Sequence, residues 1–163
     1  MKRLLFIRHA KSSWDSSTLK DIDRPLNERG NNDAPMMAKR LLSNKISIDA
    51  FVSSPAKRAS STAKFFQKTL NAPDESLIIN PELYNAPVSA FYNVILTLND
   101  NWKTVALFSH NPGITEMVNS LNIASVSHMP TCGIFGVHIK TDHWADFLDA
   151  EKQFWLFDYP KKV

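Results

Sequence analysis

The stretch Leu4-Leu5-Phe6-Ile7-Arg8-His9-Ala10-Lys11-Ser12-Ser13-Trp14 runs four apolar residues straight into an arginine and a histidine. An apolar run of this length reads as a strand buried on both faces, as in parallel sheets covered by helices. Where that strand surfaces, Arg8 offers a permanent cation and His9 an imidazole beside it. The pair has the makings of an anion site holding a nucleophile, and the rest of the chain must supply its partners.

Outward from this stretch, apolar runs recur at Ala50 to Val52, Leu77 to Ile79 and Val105 to Phe108, each followed by a helical pattern. The alternation predicts an α/β layer fold. Pro25 to Leu42 places Ala34, Met37, Ala38, Leu41 and Leu42 at helical spacing, with Pro35 expected to kink it or delay its regular part. Ser54-Pro55 reads as an N-cap followed by proline at the first helical position, opening a helix through about Leu70. Pro112-Gly113 opens another through Leu121. Gly133 to Ile139 and Gln153 to Tyr159 read as two further strands, which makes the sheet mixed, with an antiparallel edge.

The 163 residues, 44% hydrophobic and 21% charged, suffice for one well-buried core and fall short of two ordinary domains, so a single domain over 1–163 is expected. Met1-Lys2-Arg3 before Leu4 imitates an export signal, but Arg8 cuts the apolar segment short; no later segment reaches membrane-spanning length. The one cysteine, Cys132, excludes an internal disulfide and points to a reducing cytoplasm. The net charge of +3 is spread along the chain rather than gathered, which argues against nucleic acid as a partner and leaves phosphorylated substrates compatible.

Ligands of open α/β sheets sit beyond the carboxyl ends of the strands. Three strand exits carry polar residues: Arg8-His9, then Ser53-Ser54-Pro55-Ala56-Lys57-Arg58, then Ser109-His110-Asn111-Pro112-Gly113. If those strands are parallel neighbours, two arginines and two histidines converge near two helix N-termini, which themselves favour anions. Phosphoryl transfer suits this set. Its loose transition state spreads charge over equatorial oxygens that guanidinium groups grip bidentately, while a neutral imidazole oriented through one nitrogen can attack with the other. With arginines supplying the charge no metal or cofactor is required, and the sequence has no spaced cluster of carboxylates and histidines.

Arg8-His9-Ala10 resembles the Arg-His-Gly motif of the histidine phosphatase superfamily, the phosphoglycerate mutase-like proteins. RHAKSSW from Arg8, DRPLNERG from Asp23, SSPAKRASSTA from Ser53 and SHNPGI from Ser109, in that order, look like its SixA-type phosphohistidine phosphatase branch. The resemblance implies a three-layer α/β/α sandwich and a metal-independent phosphatase working through a phosphohistidine enzyme intermediate. It makes His9 the nucleophile, Arg8 and Arg58 phosphate ligands, His110 the second histidine of the pocket and Arg24 a further arginine there. Asn111 is a neighbour of the site, and Lys11 and Ser12 a phosphate-contacting loop. Glu82, in PELYNA, falls near where many relatives place a general acid; the other reading is an ordinary surface residue.

Several residues carry a plainer alternative. Arg24 could pair with Asp21 or Asp23, and Lys20 to Asp23 reads as a solvated charge run. The Lys11 to Trp14 loop could be anchored by a buried Trp14. His128, His138 and His143 read as structural or exposed, and Trp144, Phe147, Phe154, Trp155 and Phe157 as packing. A phosphohistidine-bearing protein is the expected substrate, ahead of a small phosphomonoester, because a short chain without long insertions leaves its site open. The reading from another class is a phosphate-binding module without turnover.

Overall fold

A computed structural model of the protein describes residues 1–162. Its strands are β1 (Lys2–Arg8), β2 (Ala50–Ser53), β3 (Leu77–Ile79), β4 (Thr104–Ser109), β5 (Ile134–Ile139) and β6 (Lys152–Asp158). The helices are α1 (Glu28–Ser43), α2 (Lys57–Thr69), α3 (Val88–Leu96) and α4 (Gly113–Ser120). The strands form one sheet in the order β3-β2-β4-β1-β5-β6, with β1 to β4 parallel and β5 antiparallel to both of its neighbours. The expected mixed sheet with an antiparallel edge is present, and so are its three layers.

Alternation along the strands makes the layers. In β1, Leu4 and Phe6 face one side and Leu5 and Ile7 the other; β4 divides Val105 and Leu107 from Ala106 and Phe108 in the same way. Phe91, Val94 and Ile95 of α3 and Ile114, Met117 and Val118 of α4 cover the first face. Ala34, Met37, Ala38 and Leu41 of α1 and Ala63 and Phe66 of α2 cover the second. Every strand residue from Leu4 to Ile7 has 0% exposure, which is why that run shows no polar interruption.

Three local expectations are corrected. Helix α1 starts at Glu28, capped by the Asn27 side chain accepting the Gly30 N–H, and continues unbroken through Pro35. Burial of its apolar stripe outweighs the hydrogen bond that a proline forfeits. Ser54 is not the N-cap of α2; that position is Ala56, without a side-chain cap, and the Ser54 hydroxyl is engaged elsewhere. Among the tail aromatics Trp144 and Phe147 are fully buried but Phe154 is 47% exposed, because β6 is an edge strand with a single neighbour.

Candidate active site

The register of the sheet assembles the site. Arg8 stands opposite Ser109 across β1 and β4, and Ser53 opposite Phe108 across β2 and β4. Pairing carries on past the strand ends: His9 N–H donates to the Ser109 carbonyl at 3.1 Å and Ser54 N–H to the Phe108 carbonyl at 3.0 Å. The three polar exits therefore leave the sheet side by side at its carboxyl edge. Two close approaches fix what surrounds them. A Cβ on Gly113 would lie 1.9 Å from the Ala86 carbonyl oxygen, and one on Gly30 would lie 2.2 Å from that of Lys11. Only glycine lets α4 and α1 begin so close to the loops that line the pocket.

His9 lies at the floor with 6% exposure. Its N–H is bound to Ser109, its carbonyl accepts the Cys132 N–H at 3.0 Å, and its Nδ1 lies 2.7 Å from the Ala10 carbonyl. A carbonyl can only accept, so the proton resides on Nδ1 and Nε2 keeps its lone pair. Burial above all, reinforced by His110, Arg8 and Arg58, lowers the His9 pKa to about 3, so the ring is neutral at physiological pH. This is a nucleophile's tautomer and protonation state.

His110 packs against it, ring centroids 5.1 Å apart. Its Nε2 is 2.8 Å from the Ser54 hydroxyl, which also accepts the Ala56 N–H at 3.2 Å. The hydroxyl is fully buried and has no other acceptor, so its proton goes to His110 Nε2 and leaves Nδ1 as the N–H donor. That Nδ1 makes no hydrogen bond within the protein. Burial first, then Arg58, lowers the His110 pKa to about 4.

Arg8 donates from Nη1 to the Met129 carbonyl at 3.0 Å, and its buried Nε makes no hydrogen bond. Asn111 donates to the same Met129 carbonyl and accepts from Thr115, so it braces the segment that holds Arg8. Arg58, the second residue of α2, donates to the Asp21 carbonyl at 2.7 Å and to its carboxylate at 3.0 Å; its Nε too is buried and unbonded. Ser12 and Leu26 form an antiparallel bridge that brings Arg24 to the pocket, where it donates to the Ser12 hydroxyl at 2.8 Å and to Asp21 at 3.2 Å. Arg24 lines the pocket and is at the same time paired with Asp21.

The cavity holds about 580 Å³ and is open to solvent, with Lys11, Ser12, Trp14, Arg24, Tyr84 and Asn111 in its wall. Glu82 is not among its lining residues. It sits on a short exposed 3-10 turn, Pro81–Leu83, and the next residue but one, Tyr84, faces the pocket instead. Trp14 is no buried anchor: it is 74% exposed, stacked under the Arg24 guanidinium at 3.6 Å from the ring centroid. Asp21 and Tyr84 are the residues that sequence reading passed over. Asp21 Oδ2 accepts from Tyr84 at 2.6 Å as well as from Arg58, and these bonds, Tyr84's foremost, lower its pKa to about 2. Among the described residues no three His, Cys, Asp or Glu side chains gather as metal ligands, and no helix is long and apolar enough to cross a membrane.

A buried neutral histidine flanked by arginines at the carboxyl edge of a largely parallel sheet defines a phosphoryl-transfer class of α/β protein. Residues 4–87 match the model of the histidine phosphatase superfamily (branch 1), and the chain belongs to that family and is a phosphatase of it. An uncharacterized chloroplastic protein of Arabidopsis thaliana is 31% identical over 153 residues, 89% of this chain and 70% of that one. In fold the chain is similar to the protein histidine phosphatase SixA in its tungstate complex, with TM-score 0.80 and 24% identity over 97% of each chain. It is also similar to a mycobacterial glucosyl-3-phosphoglycerate phosphatase, with TM-score 0.74 and 14% identity over 98% of this chain and 100% of that one. The SixA-type phosphoglycerate mutase-like fold expected from the sequence is thus the observed one.

Proposed function

We propose that this phosphatase removes phosphate from phosphohistidine on a partner protein in a reducing cytoplasm. The observation that carries the reading is His9 itself, whose Nδ1–H is committed to Ala10 while the neutral Nε2 stays free at the floor of an open arginine-lined pocket. His9 Nε2 attacks phosphorus, and Arg8, Arg58 and the Nδ1–H of His110 take the equatorial oxygens, with Arg24 closing the side of the pocket. Water then cleaves the phosphohistidine on His9. Lys11 and Ser12 complete the wall around the phosphoryl group, and Asn111 acts through the Met129 segment.

Two features favour phosphohistidine over an ester. The pocket is open, so a phosphorylated side chain on a protein surface can reach it. Its lining carboxylate, Asp21, stays ionised down to about pH 2 and cannot protonate an alkoxide, and Glu82, the one residue offered as an acid, stands outside. An imidazole leaving group needs no such acid. Likeness in fold to the SixA structure supports this reading; likeness to the glucosyl-3-phosphoglycerate phosphatase keeps a small phosphomonoester as the second candidate.

The deciding experiment mixes the protein with a phosphohistidine-bearing carrier protein and, separately, with simple monoesters, then quenches in alkali, where a phosphoramidate survives, and measures intact masses. Wild type should acquire a phosphoryl group and dephosphorylate the carrier; His9→Ala should do neither. Ester hydrolysis with an untouched carrier would transfer the assignment to small monoesters. Binding of phosphate with no release from any donor would leave a binding module.

A further inference from the structure

The carboxylate of Asp21 is an odd presence in a pocket meant for an anion. Its side chain is 48% exposed at the mouth, yet it is tied to Arg58 of α2, to Arg24 on its own turn and to Tyr84 beyond β3, and it faces His110 beyond β4. Oδ2 takes two of these bonds, from Arg58 and Tyr84. Oδ1 takes only the Arg24 Nε–H, at 3.2 Å, and retains acceptor capacity.

In-line displacement puts the leaving group on the side of phosphorus opposite the nucleophile. With His9 buried at the floor, the leaving group departs toward solvent, and the half-exposed Asp21 is the carboxylate lining that cavity. On the phosphohistidine reading, on which this inference rests, the leaving group is an imidazole phosphorylated on one nitrogen and protonated on the other. We propose that Asp21 is the leaving-group acceptor: its carboxylate takes the N–H of the substrate's phosphoimidazolium and makes the site selective for P–N over P–O bonds.

The step balances without moving a proton. The His9 Nε2 lone pair forms the new N–P bond while the old P–N bond breaks and its electron pair stays on the departing nitrogen. Because the opposite nitrogen already carries a proton, held against Asp21, the group leaves as neutral imidazole rather than imidazolate. An ester leaving group would instead develop negative charge beside a carboxylate. The same residue thereby favours one bond and penalises the other. Tyr84 and the two arginines fix the orientation of Asp21 and keep it ionised.

The test measures kcat/KM for phosphoimidazole and for p-nitrophenyl phosphate on the same samples of wild type and the near-isosteric Asp21→Asn, a comparison independent of the fraction folded. A charge-assisted hydrogen bond of this kind implies that the ratio of the two constants falls about tenfold or more. The deficit should widen as pH rises through the substrate's own imidazolium titration, since wild type holds that proton in place and the variant does not. An equal loss on both substrates, with unchanged pH dependence, would overturn the proposal and leave Asp21 as a support for Arg58. A wild type that hydrolyses the ester and spares phosphoimidazole would overturn the phosphohistidine reading, and this inference with it.

Discussion

The floor and the mouth of the pocket are built by different means. The floor residues Arg8, His9, Arg58 and His110 leave strand ends or open a helix, and their backbones are locked by pairing that simply prolongs the sheet. The mouth residues Trp14, Asp21, Arg24 and Tyr84 sit on irregular segments and hold one another by side-chain contacts. The histidines of the floor are buried and neutral; the carboxylate of the mouth is half-exposed and ionised. Chemistry placed on a rigid register and selectivity placed on loops can vary independently.

The buried histidines have the largest consequence. His9 and His110 bind protons far more weakly folded than unfolded, so stability is present above the unfolded histidine pKa of about 6.5 and is lost as pH falls from there towards about 4 for His110 and 3 for His9. Each contributes a slope of up to about 1.4 kcal/mol per pH unit, which denaturant melts between pH 7 and 4 should register; a flat profile would mean that the two rings titrate alike folded and unfolded. Next, Arg58→Ala should lower turnover on the order of 100-fold while remaining folded, since it removes a preorganised donor to the transferring group. Near-normal turnover would take Arg58 out of the mechanism.

Ser54→Ala sharpens the division, because the Ser54 hydroxyl reaches the chemistry through His110, its other bond being to the Ala56 N–H at the start of α2. Releasing the ring's tautomer should reduce kcat about tenfold with KM little changed, as steady-state assays would show. The smallest effect belongs to the mouth. Trp14→Ala removes an exposed cation–π stack worth about 0.5–1 kcal/mol, so KM should rise two- to fivefold with kcat preserved; a collapse of kcat would place Trp14 with the floor.

This same division decides what the sequence disclosed. Arg8, His9, Arg58 and His110 could be read because each follows an apolar run whose burial fixes where it ends, and Arg24 because it lies in a family motif. Asp21 reads as part of a solvated run, since nothing in Lys20 to Asp23 shows that the turn docks on α2 and accepts from Arg58. Its one local signal is the i, i+3 spacing to Arg24. Tyr84 is hidden in the sequence behind Glu82, two residues earlier, because a short 3-10 turn settles which of them looks inward. Trp14 departs from the rule that large aromatics are buried, since it lies over the Arg24 guanidinium and takes the solvent side while the arginine is buried.

Arg8 pairs with Ser109 through the same ladder that sends Leu5 and Ile7 to one core and Leu4 and Phe6 to the other. Volume changes within β1 alter packing locally, but an inserted or deleted residue there would exchange its faces and displace the histidine from its partners at once. For lineages descending from this fold, or for a designer grafting the site, strand β1 is a ruler whose length admits no editing, whereas the loops of the mouth are free to grow, shrink and be exchanged.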